Sequence, residues 1–269
     1  MSTTYRPLRL VAILAAAAVG LGLSSVPSEA DHAHPPGRVH AGTEFKWGRA
    51  AVDYSFEHGP LSRKRWHTHG RGSVGNQVGM LTLLTDGPGT LSATERTRGR
   101  TVGRWETRIR SKRYERGGRD YRVLVELVPA GNRKKYCGAR NIALGAYTPY
   151  GRSVTHYVRT RPDNQYVMHK RINLADSTWH TLAVEVTRNR VSWFVDAHVV
   201  SSERRNAALS GVPFAVRFSL RGESGVRMNE TRMQMDWLRY WTLERPNQKS
   251  TRAPRPEAGT YAGACAGRG

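Results

Sequence analysis

Short runs that alternate apolar with polar side chains dominate the chain between residues 80 and 243. Residues 105–109 (WETRI) alternate in this way, as do 121–128 (YRVLVELV), 181–186, 191–195 and 233–243. Successive side chains of an extended strand point to opposite faces, so a period of two is what a half-buried strand requires and a helix does not satisfy. Residues 80–84 (MLTLL) run into Asp86-Gly87-Pro88-Gly89, a strand closed by turn residues, and Gly, Pro, Asn and Asp clusters punctuate the other runs. Many short strands at this spacing, rich in aromatic and β-branched residues, predict an all-β sandwich or jelly roll.

The two ends read differently. Arg6 and Arg9 precede an apolar run over 10–23, and Ser28-Glu29-Ala30 places small residues at −3 and −1 of a cut after Ala30. This pattern predicts a secretory signal peptide over 1–30 and an extracellular protein. The apolar run is shorter than the roughly 20 residues a bilayer helix needs, and no transmembrane segment is expected in the mature chain. Residues 31–50 carry a Pro-Pro-Gly break and read as a linker. Residues 246–269 are rich in Pro, Gly, Ala and Arg and read as a flexible basic tail, too poor in apolar surface to fold alone. One folded domain, 51–245, is left between them.

The 43 Lys and Arg residues exceed the 21 Asp and Glu by enough to leave a formal charge of +22. Such a field attracts polyanions. Acidic cell-wall polymers, acidic polysaccharides, anionic membrane surfaces and nucleic acid are candidate partners, but the basic residues are spread along the chain without a run of five and without a nucleic-acid motif, which reads first as a generally basic solvated surface. Cys137 and Cys265 are compatible with one disulfide in an exported chain or with two free thiols; two cysteines make no metal framework.

Residues 103–109 (GRWETRI), 179–196 (WHTLAVEVTRNRVSWFVD) and 233–241 (MQMDWLRYW) resemble, in order and spacing, the strands of glycoside hydrolase family 16, the laminarinase, lichenase and β-agarase group. The resemblance implies a concanavalin-like jelly roll of two curved antiparallel sheets, one of which forms a cleft for polysaccharide, with no cofactor required. The family's cleft strand carries E-x-D-x-E. That spacing sets the carboxylates on one face, with a nucleophile and an acid/base about 5 Å apart for retaining hydrolysis. The equivalent stretch here is 137–147 (CGARNIALGAY). Ala139 stands in place of the nucleophile, Asn141 in place of the Asp, and Ala143 or Leu144 in place of the acid/base, and 130–150 contain no carboxylate at all. The chain is therefore expected to bind polysaccharide while being catalytically degenerate.

Glu126 shares a strand face with Arg122 and is expected to reach the cleft, as an ion-pair partner of Arg122, as a sugar contact, or as a relocated catalytic carboxylate. The resemblance also implies that Glu106 and Arg108 line the cleft; an ion pair on a sheet surface is the alternative. Glu95 is read as a neighbour on the same face. The expected sugar-binding set is Glu106, Arg108, Arg122, Glu126 and Asn141, whose basic members favour an acidic or sulfated glycan. Tyr147, Tyr150 and Trp193 are candidate platforms, with core packing the alternative for Trp193. Tyr147 or His156 would serve as the base of a lyase. Asp236 matches a position that in some relatives helps hold a structural calcium, a surface carboxylate being the alternative. His67 and His69 lack a third ligand and read as a loop. Asn229-Glu230-Thr231 fits an N-glycosylation acceptor. Two further functions stay open: an active O-glycosyl hydrolase in which Glu126 works with Glu106 or Glu95, and a surface module that binds non-carbohydrate polyanions.

Overall fold

The computed structural model describes residues 40–57, 59–114, 116–131 and 140–262. The signal expected over 1–30, Cys137, Ala139 and Cys265 lie outside them. Alternation sorts the strands into two antiparallel sheets of eight. The first sheet runs β13 (His198–Glu203), β12 (Val191–Val195), β11 (His180–Val186), β6 (Gly103–Arg113), β15 (Thr231–Trp241), β4 (Met80–Thr85), β3 (Ser73–Gln77), with β1 (Val52–Tyr54) also on β15. The second runs β16 (Glu257–Thr260), β10 (Asn164–Arg171), β9 (Ser153–Thr160), β8 (Ile142–Tyr147), β7 (Arg122–Pro129), β14 (Phe214–Arg221), β5 (Thr90–Glu95), β2 (Trp66–His69). The jelly-roll sandwich expected from the sequence is the fold observed.

The apolar member of each alternating pair faces the other sheet. Trp105 and Ile109 of β6, Leu182 and Val184 of β11, and Met233 and Met235 of β15 meet Val123, Val125 and Leu127 of β7 and Val216, Phe218 and Leu220 of β14 in one buried core. Each such side chain, fully withdrawn from water, contributes about 1.5–3 kcal/mol. Trp193 is fully buried and its indole N–H crosses the gap to the Ala143 carbonyl at 2.9 Å, so it ties the sheets together and offers no platform to a sugar. Gly145 of β8 permits a close approach of the layers: a Cβ there would meet Leu182 Cδ1 of the other sheet at 2.7 Å, and Val154 Cγ2 of its own at 2.9 Å.

Both ends depart from the sequence expectation. Residues 40–50, expected as linker, pack on the outer face of the first sheet. A helical turn, α1 (Ala41–Glu44), leads into Phe45 and Trp47, which are buried against Phe194 and Trp241. Within 246–269, expected as a flexible tail, residues 246–262 are held by backbone and side-chain hydrogen bonds. Asn247 joins Trp47 to Glu185 at 2.6 and 2.7 Å, Ser201 and Ser202 donate to the Pro254 and Thr251 carbonyls, and β16 pairs with the edge strand β10. The tail lacks the apolar residues to fold by itself, but an open sheet edge supplies partners to any backbone.

Candidate functional site

The outer face of the second sheet carries a row of side chains in register across all eight strands. His67, Thr94, Arg217, Glu126, Ala143, Tyr157, Val167 and Glu257 stand successively opposite one another. The local sequence dictates this placement. In 214–221 (FAVRFSLR) Phe214, Val216, Phe218 and Leu220 turn inward, so Arg217, Ser219 and Arg221 turn outward. In β9 Val154 and Val158 turn inward, which leaves Thr155, Tyr157 and Arg159 outward. Pairing irregularities at Glu126 and between Ala143 and Ala146 interrupt the ladder at the centre of the row, where a bulge re-aims side chains.

Glu126 is the centre of this face. One carboxylate oxygen accepts from the Tyr157 hydroxyl at 2.6 Å and from the Asn141 amide at 3.3 Å; the other accepts from the Arg217 guanidinium at 2.7 Å. The side chain is 3% exposed. Burial opposes its ionisation, but the Arg217 charge and the hydrogen bonds from Tyr157, Arg217 and Asn141 outweigh it and hold the carboxyl below the usual range. Burial and the adjacent Glu126 charge push the Tyr157 phenol up, so it stays protonated and donates. Beside this cluster lies a hollow of about 340 Å³ walled by Arg159, Arg217, Arg221, Asn141, Tyr261 and Leu124, among others.

The arrangement sets one ionised carboxylate among hydrogen-bond donors. A glycosidase acid must hold a proton near neutral pH, and Glu126 is pinned in its ionised form with both oxygens engaged. Hydrolysis also needs a second carboxyl 5–9.5 Å away. Among the described residues that line the hollow, Glu126 is the only carboxylate, and β8 presents Ala143 and Ala146 where the sheet is centred.

Of the expected binding set, Glu126 and Asn141 come together here. Arg122 is on the same face but exposed, opposite Arg221, and Arg217 takes its expected place as the partner of Glu126. The reason is reach: Arg217 is directly across the ladder, while Arg122 is four residues along the same strand. Glu106 and Arg108 are not in this cleft. They lie on the outer face of the first sheet, because β6 pairs with β11 and β15. Glu106, fully buried, accepts from the Ala41 and Gly42 amides at 2.6 and 3.1 Å and contacts the His40 ring at 3.2 Å. Arg108 donates to Asp236 at 2.7 Å. Asp236, expected at a calcium site, is the acceptor of that bond; among the described residues no three His, Cys, Asp or Glu side chains are grouped as metal ligands.

The remaining expectations are placed as follows. Glu95 shares the inward side of β5 with Leu91 and Ala93 and accepts from Tyr54 at 3.2 Å, on the opposite side of its sheet from the cleft. Tyr147 is in the core, as is His156, whose Nδ1–H donates to the Leu144 carbonyl at 2.6 Å, so neither reaches a sugar as a lyase base. Tyr150 is 39% exposed, beneath the Arg113 guanidinium. His67 and His69 lie on β2 rather than a loop, and His69 borders the hollow. Asn229 is buried, accepting from the Gly118 amide at 2.7 Å and donating to Asp120 at 2.6 Å, which withdraws it from glycosylation. Arg217, Tyr157, Arg159 and Tyr261 are not among the residues expected from the sequence. Their signal was the strict alternation of 214–221 and of 153–160, which puts each of the first three on the polar face.

No family model matches the sequence, and no curated protein matches it. Solved structures do. One reported among the endo-acting O-glycanases that human gut microbiota express to initiate mucin breakdown is 15% identical, with 73% of this chain and 100% of that chain covered and a TM-score of 0.60. The laminarinase catalytic domain of Thermotoga maritima MSB8 is 12% identical over 72% of this chain and 98% of that one, with a TM-score of 0.59. SCLam, a non-specific endo-β-1,3(4)-glucanase of glycoside hydrolase family 16, is 13% identical over 72% and 91%, with a TM-score of 0.57. At such identities the likeness is one of fold: this chain has the jelly-roll architecture of the family 16 glucanases.

Proposed function

We propose that this chain is an exported, family-16-like jelly roll that binds an extracellular polysaccharide on the outer face of its second sheet and does not hydrolyse it. The observation that carries the reading is Glu126: a single carboxylate, ionised and fully engaged by Tyr157, Asn141 and Arg217, where hydrolysis needs two with separate roles. Support for a glycan rather than another ligand comes from the fold and from the mixed lining of guanidinium, hydroxyl and amide groups around a small apolar patch of Leu124, Ala143, Ala146 and Tyr157. No described helix is long and apolar enough to cross a membrane.

The test is reducing-end release from laminarin, lichenan, agarose and alginate, alongside binding to the same polymers by affinity electrophoresis. Binding without release, in the native protein and in Glu126→Gln, is the expected result. Release that Glu126→Gln abolishes would establish a relocated catalytic carboxylate instead.

A second reading is favoured by the outer face of the first sheet. Arg108 and Arg110 stack over Trp179 at 4.6 and 4.5 Å, and Arg232 over Tyr114 at 5.5 Å. Such a basic, aromatic surface would hold a polyanion without any cleft. Polymer binding that survives substitutions around Glu126 and falls with Arg232→Gln would favour it.

A further inference from the structure

Three buried polar atoms of residues lining the hollow beside Glu126 have no hydrogen-bond partner among the described residues: the Asn141 side-chain oxygen, the Arg217 Nε and the Tyr261 hydroxyl. Asn141 is 3% exposed and Tyr261 9%. An unpaired buried group costs about 1–3 kcal/mol, and native domains keep few of them. Three gathered around one hollow mark a surface shaped for something else to complete.

Their polarities say what that is. The Asn141 amide nitrogen donates to Glu126, which can only accept, so the amide oxygen is the free end and takes a donor such as a sugar hydroxyl. The Arg217 Nε–H needs an acceptor, and the phenol of Tyr261 can donate to one. Arg159 adds a fixed positive charge between them: its guanidinium lies 4.3 Å from the ring centre of Tyr157 and 5.0 Å from that of Tyr261, with Nε donating to Gln165 at 2.6 Å. Arg159, Arg217 and Arg221 face one carboxylate, so the hollow keeps an excess of positive charge. A neutral glucan leaves that excess unanswered.

We propose that this hollow seats the oxyanion of an acidic sugar, a carboxylate or a sulfate ester, between Arg217 and Arg159, with Asn141 reading a neighbouring hydroxyl and Tyr261 forming the wall. The inference rests on the reading that this face binds polysaccharide and names the substrate class. Guanidinium forks match both oxyanions in geometry. The wall comes from the C-terminal segment: after β16 pairs with β10, the Tyr261 amide donates to the Asp163 carbonyl at 2.9 Å and fixes the ring over Arg159.

Calorimetric titration at fixed ionic strength tests this, with alginate oligosaccharides carrying carboxylates, dextran sulfate oligosaccharides carrying sulfates, and laminarin oligosaccharides as the neutral probe. At least one acidic set is expected to bind ten-fold or more tightly than laminarin, and the better of the two identifies the oxyanion. Tyr261→Phe removes one hydroxyl and Arg159→Gln one charge; each is expected to weaken the acidic ligand about five- to ten-fold with the melting temperature kept. Arg232→Gln removes the same charge on the other sheet and is expected to change affinity less than two-fold. Laminarin binding as tightly as the acidic sets would overturn the oxyanion seat while leaving the cleft reading intact. An equal loss in Arg232→Gln and Arg159→Gln would overturn it in favour of general surface charge. Binding of none of the three would sink both readings.

Discussion

Glu126 of β7 and Arg217 of β14 stand directly opposite each other in the ladder, and the guanidinium donates to the carboxylate at 2.7 Å. The two are unequally buried, the carboxylate side chain 3% exposed and the arginine 29%. Removing the arginine therefore leaves a charge in the interior, which costs far more than removing both partners. Arg217→Met is expected to destabilise the fold by about 3 kcal/mol, Glu126→Gln by less, and the double variant to recover part of the loss. Urea denaturation of the four proteins measures the coupling. Strictly additive losses would mean that the pair contributes nothing as a pair.

Acid should weaken the protein in two stages. Burial holds the His156 imidazole down at about 4, against 6.5 for the free group. Between these values the unfolded chain binds a proton that the folded chain refuses, so stability falls as pH drops from about 6.5, by up to roughly 1.4 kcal/mol per pH unit. Glu126 and Glu185 titrate below the ordinary 4.5 in the folded state: burial opposes their charge, and Arg217 in one case and Arg104, Arg190 and Asn247 in the other outweigh it. Their contribution is complete above the unfolded pKa and is lost as pH falls through the folded one. NMR titration of His156 checks the first stage; an imidazole titrating near 6.5 would contradict its place in the core.

Glu95 has the opposite sign. Burial raises its carboxyl, so its contribution is complete below the unfolded pKa and is lost as pH rises through the folded one. Glu95→Gln, which keeps an acceptor for Tyr54, is expected to melt at the same or a higher temperature at pH 7. A drop of several degrees would show that the ionised form is the stabilising one.

Glu106 anchors the N-terminal segment. Its carboxylate takes the Ala41 and Gly42 amides, and Gly42 leaves room for Trp241, whose ring a Cβ would meet at 2.7 Å. Glu106→Gln is expected to cost about 1–3 kcal/mol and to make residues 40–50 more accessible to protease, with glycan affinity unchanged. A loss of affinity without a loss of stability would put Glu106 in the cleft after all.

Ending the chain at Pro246 removes Asn247, the contacts of Ser201 and Ser202, and β16. The melting temperature is expected to fall by several degrees, and acidic-glycan binding to fall with the loss of Tyr261. An unchanged melting curve would mean that these hydrogen bonds contribute nothing net.

The alternation in 105–109, 121–128 and 181–186 was enough to determine strands, their inward faces and the sandwich, because side-chain direction along a strand follows from backbone geometry alone. The same rule showed that Glu126 faces away from the core; that 137–147, a stretch without Asp or Glu, belongs to the cleft was implied by the resemblance alone. Alternation could not say which sheet β6 joins. Glu106 and Glu126 sit on equally alternating strands, and only pairing with β11 and β15 in one case and with β8 and β14 in the other separates them onto opposite outer surfaces. Nor could it choose Arg217 over Arg122 as the partner of Glu126, or bring Tyr261 beside Arg159, since both contacts join residues distant in sequence through strand register. Local pattern determines which way a side chain points; what it meets there is decided by long-range pairing, which no single stretch of the chain encodes.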